Sequence, residues 1–137
     1  MYWPTITDAR HVDSFLVGPL LAVLFTDCVS EGTIQYAHVL YVYEPDLKNP
    51  PGPGNPPPLV CCITAEVNAM AAETSGSGSH FLCMFHDGIH ANMGAADDWA
   101  DLDTFTQKAL DVVADQFAID REPIRMPMPG HNGYDSS

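Results

Sequence analysis

The chain has 137 residues, a formal net charge of -13 and 46% hydrophobic residues. Five Lys and Arg against eighteen Asp and Glu cannot build a phosphate-tracking stripe, so the charge excludes nucleic acid and anionic membrane and favours a basic protein partner, a cation or a neutral small molecule. The length suits one domain over residues 1–137, and its long apolar runs separate it from acidic disordered chains.

The first fourteen residues allow two readings. "TDARHVDSFL" is either a short N-terminal helix capped by Thr7 or Asp8, or an extended lead-in. Gly18-Pro19 breaks it from "LLAVLFTD", a strand covered on both faces. The apolar stretch Phe15 to Phe25 is too short to span a bilayer as a helix, and Asp8 and Asp13 precede it, which a signal segment would not tolerate.

"CVSEG" reads as a loop. Thr33 to Tyr43, rich in β-branched and aromatic residues, is the clearest strand and pairs antiparallel with the one before it. Residues 44–58 form a proline-rich loop that cannot donate a full hydrogen-bond ladder. Leu59 to Met70 alternates: Cys61, Ile63 and Ala65 share one face, and Cys62, Thr64, Glu66 and Asn68 share the other, which reads as solvated toward its end. "AAETSGSGS" is a flexible connection.

"HFLCMFHDGIHANMG" carries the densest chemistry. Asp87-Gly88 signals a two-residue hairpin turn, which pairs His86 with Ile89, Phe85 with His90, Met84 with Ala91 and Cys83 with Asn92. His86 and His90 then face opposite ways, so no His86–Asp87–His90 metal site forms, and neither metal nor cofactor is expected. Cys83, His90 and Asn92 share a face and are the residue types of thiol catalysis, in which histidine holds a thiolate and asparagine orients the ring. The rival for Cys83, flanked by Phe81 and Phe85, is an inert core thiol.

An amphipathic helix follows, starting near Asp97 or Asp98. Trp99, Leu102, Phe105, Ala109, Val112, Val113 and Phe117 form its apolar stripe, and Asp101, Thr104, Lys108, Asp111 and Asp115 its polar face. It ends before Pro123, and residues 120–137 read as an extended tail. The fold class is therefore α+β: a mainly antiparallel sheet of four to five strands, with one C-terminal amphipathic helix packed on one face.

One helix covers one face, yet two strands are apolar on both. That mismatch predicts a homodimer through the sheet, with Tyr41 and Tyr43 at the interface. Cys28, Cys61, Cys62 and Cys83 show no C-x-x-C spacing and read as reduced thiols of a cytoplasmic protein. The leading functional expectation is a small acidic non-enzymatic protein-binding domain, an adaptor, chaperone-like protein or neutralising partner. The alternatives are a thiol or histidine enzyme using Cys83, His90 and Asn92, and a small-molecule binder using the aromatic strand 33–43.

Overall fold

A computed structural model describes residues 6–30, 35–44, 59–67, 79–86 and 89–125. Its strands are β1 (Ile6–Val17), β2 (Leu20–Ser30), β3 (Tyr36–Tyr43), β4 (Leu59–Val67), β5 (His80–His86), β6 (Ile89–Ala96) and β7 (Ile124–Arg125). A 3-10 turn (Asp97–Ala100) leads into helix α1 (Leu102–Gln116). The strands form one antiparallel sheet in the order β6-β5-β4-β3-β2-β1-β7, so consecutive strands pair from β1 to β6 and β7 returns to the outer side of β1.

The α+β class and the antiparallel sheet stand, but the described residues form seven strands in place of the expected four or five. The N-terminal segment supplies one of them. It is a strand and not a short helix, because β1 pairs along its length with β2. Its mixed polarity follows from its half-exposed burial pattern. The register shifts near Asp8 and Arg10, opposite Asp27, whose φ of 53° marks a bulge in β2. The expected loop at Cys28 is the end of β2, and the expected tail contributes β7. The proline-rich loop from Pro45 onward, Asn68 to Gly78, and the tail from residue 126 lie outside the described residues.

At the β1–β2 turn Gly18 has a φ of 57°, where a side chain is strained, and its open α-carbon lies against Ile119 beyond the helix. A Cβ there would meet Ile119 at 3.2 Å. The helix begins later than its apolar stripe suggests. Asp101, and neither Asp97 nor Asp98, caps it, accepting from the Thr104 backbone N–H at 2.9 Å.

Period two sorts the sheet into two apolar faces. Phe15, Val17, Leu24, Leu40, Val42, Cys61, Ile63 and Leu82 pack under Phe105, Ala109, Val112 and Val113 of the helix. Val39, Cys62, Cys83 and Phe85 form a second buried cluster on the opposite face, joined by half-buried Phe25, Tyr41 and Phe81. His38 sits on the helix side as a satisfied core histidine. Its Nε2 donates to the Ala100 carbonyl at 2.9 Å, and its Nδ1 bonds the Thr26 hydroxyl at 2.8 Å.

Candidate functional site

The β5–β6 hairpin has the register that a two-residue turn at 87–88 dictates: Cys83 opposite Asn92, Met84 opposite Ala91, Phe85 opposite His90 and His86 opposite Ile89. The turn residues themselves lie outside the described residues. His86 packs edge-on against Phe117 of the helix side at 5.3 Å, while His90 stacks on Phe85 of the other face at 4.4 Å and 9°. The two histidines thus occupy opposite faces.

Cys83 and His90 come together, but through a residue the sequence reading assigned to a solvated surface. Glu66 is 7% exposed on β4. His90 Nε2 donates to Glu66 Oε2 at 2.9 Å, and the Cys83 thiol hydrogen-bonds the same side chain. One ligand atom from each of the three residues lies within 4.8 Å of the others. Glu66 is not solvated because β5 pairs beside it, with Glu66 opposite Phe81 and Thr64 opposite Cys83. The available signal was that Glu66 shares a strand face with Thr64. The connection after β4 sets no register, so the sequence could not place that face beside Cys83.

Asn92 lies opposite Cys83 but is exposed, and its Oδ1 accepts from the Gly94 backbone N–H at 2.9 Å. Burial, followed by the neighbouring Glu66 charge and its hydrogen bond, pushes the Cys83 thiol up to about 12. A thiolate-stabilising site does the reverse. Cys61, on the helix face, is pushed up to about 12 by burial, and Cys62, on the other face, is raised by burial and by the cysteines around it. All four cysteines are free thiols.

One buried polar atom beside this cluster is unsatisfied. Thr64 is fully buried, and its Oγ1 has no hydrogen-bond partner among the described residues. It shares the face of β4 that carries Glu66 and lies directly across from Cys83.

A second feature lies on the helix side, at the far edge of the sheet. A cleft of about 790 Å³ opens between the β5–β6 hairpin and α1. Among the described residues Met84, Met93 and Val112 supply its apolar lining, Asp111, Asp115 and Asp120 its acids, and Lys108 its cation. Beside it β6 is the terminal strand of the sheet, and Ile89 and Met93 are 62% and 45% exposed. Asp111, Asp115 and Lys108 belong to the polar helix face read from the sequence; their convergence on the hairpin is a tertiary fact.

Tyr41 and Tyr43 are half-buried on the face away from the helix, with ring centroids 6.4 Å apart, and Phe25 meets Tyr41 edge-on at 5.8 Å. Burial raises both hydroxyls above the usual tyrosine range. Among the described residues no helix is long and apolar enough to cross a membrane. Comparison of the chain with protein-family models, curated proteins and solved structures gave no match.

Proposed function

We propose that this is a small acidic protein-binding domain whose cleft between β6 and α1 takes a basic amphipathic segment of a partner protein. The observation that carries the reading is the pairing of an apolar, methionine-containing floor with three aspartates, beside an edge strand that exposes Ile89 and Met93. Methionine adapts to varied apolar side chains, acids attract a basic partner, and an edge strand offers unpaired backbone groups to an added one. The net charge of -13 steers such a partner inward. Four free thiols fit a reducing, cytoplasmic setting.

A thiol-enzyme role draws less support, since Cys83 is buried and its proton is held by burial and by Glu66. Self-association is a second, compatible reading, favoured by the half-buried row of Phe25, Tyr41 and Tyr43 opposite the helix. Sedimentation equilibrium at micromolar concentration decides it. A dimer weakened by Tyr41→Ala supports the reading, and a monomer at both low and moderate salt removes it.

The main reading is tested by backbone NMR during titration with a short Lys/Leu amphipathic peptide and with its Glu/Leu counterpart. Shifts confined to β6, Asp111 and Asp115, and seen only with the basic peptide, are expected. No response, or shifts scattered over the sheet, would contradict it.

A further inference from the structure

We propose that Glu66, Cys83 and His90 form a binding site for a divalent transition-metal ion of the zinc class. Three adjacent strands deliver one carboxylate, one thiol and one imidazole to a single face, with ligand atoms within 4.8 Å of one another. Tetrahedral zinc with bonds near 2.0–2.3 Å holds its ligands about 3.5 Å apart. The backbones are already fixed by strand pairing, so side-chain rotation suffices to reach that spacing. The mixture of sulfur, nitrogen and oxygen suits zinc or cobalt better than magnesium or calcium, which take oxygen alone.

Two further observations point to an ion. The Thr64 hydroxyl, across from Cys83 on the same face, is fully buried with no partner among the described residues, a cost that a metal-bound water or a metal-held thiolate would offset. The set is also graded in exposure: Cys83 and Glu66 are buried, while the His90 side chain is 30% exposed. An ion can therefore enter past His90, and three protein ligands leave a fourth position for water or for a donor from a partner. The site lies on the sheet face away from the cleft, so it stands independently of the partner-binding reading.

Binding balances simply. The Cys83 S–H bond breaks, the sulfur keeps the electron pair and bonds the ion, and the proton goes to the buffer. His90 loses its Nε2 proton to solvent and takes one up on Nδ1, so the ring stays neutral and the freed Nε2 lone pair bonds the ion, with no net proton released from the imidazole. The rival account is a plain buried hydrogen-bond network in which Glu66 accepts from Cys83 and His90 and binds no ion.

The test uses the full chain, stripped with chelator under reducing conditions and titrated with Co²⁺. A 1:1 complex with a thiolate-to-cobalt charge-transfer band, displaced by Zn²⁺ and releasing about one proton per ion near pH 8, is expected. Cys83→Ser and His90→Ala should abolish the band, Glu66→Gln and Thr64→Val should weaken binding by about tenfold or more, and His86→Ala should leave it unchanged. Circular dichroism checks folding, and Glu66→Gln, which retains a hydrogen-bonding side chain, carries the test if Cys83→Ser unfolds. Absence of the band in folded wild-type protein, or a band that survives in Cys83→Ser, overturns the proposal.

Discussion

Glu66 on β4 and His90 on β6 are joined at 2.9 Å across the intervening strand β5. The bond ties three strands on the face without the helix. A buried carboxylate is tolerated only when donors satisfy it, and here His90 and Cys83 do so. Glu66→Ala strands both donors and should cost about 1–3 kcal/mol in urea unfolding, whereas Glu66→Gln should cost less. Equal stability of Glu66→Ala and wild type would show that the bond contributes nothing.

Thr64→Val should behave differently. It removes a buried hydroxyl that has no partner among the described residues and keeps the shape. The metal-free protein should be unchanged or more stable by about 1 kcal/mol in the same assay. A loss of more than about 1 kcal/mol would mean that the hydroxyl is satisfied in solution.

Phe105 anchors the helix to the sheet. It is fully buried and meets His38 at 5.3 Å. Phe105→Ala should cost about 3–5 kcal/mol, a large share of the ~5–15 kcal/mol that holds a domain together, and Phe105→Leu clearly less. Loss of helical circular dichroism with a retained sheet signal would show that the helix is the dependent element. A shift of less than about 1 kcal/mol would contradict its place in the core.

Stability should fall in alkali. The thiols of Cys61 and Cys83 are raised from 9.0 to about 12, by burial first, so folding favours their neutral form. Their contribution is complete below pH 9, is lost as pH rises, and is gone once pH passes about 12. Tyr41, raised by burial, adds to the loss above its ordinary range near pH 10. Urea midpoints between pH 7 and 10.5 should be flat at first and then decline, with a shallower decline in Cys61→Ala. A midpoint that rises with pH above 9 would reverse the sign.

What the sequence disclosed follows from the range over which each signal acts. The β5–β6 pairing was legible because a two-residue turn and period-two alternation fix a register locally, and Cys83, His90 and Asn92 were assigned to one face on that basis. Glu66 was not legible as a member of the group, since its approach depends on the register of β4 against β5, across the connection AAETSGSGS, whose length and flexible composition fix no register. Asn92 pairs with Cys83 as expected, and its amide oxygen accepts from the backbone N–H of Gly94. β1 was ambiguous because polar residues such as Asp8 and Arg10 occupy a half-exposed strand, so its pairing with β2 and β7 outweighs its own weak pattern. The acidic helix face was read correctly as polar, but that it borders a cleft was set by the packing of α1 beside Met84 and Met93.

The most direct test of the partner-binding account is calorimetric titration of the basic amphipathic peptide into wild-type protein and into Asp111→Lys/Asp115→Lys, at low and moderate salt. The two aspartates are exposed on the cleft, so reversing them changes its charge without touching the core. The account predicts binding to the wild type that weakens with salt, and a loss of at least about tenfold, or ~1.4 kcal/mol, in the double variant. Equal affinity for both proteins, or wild-type binding that salt does not weaken, would contradict it.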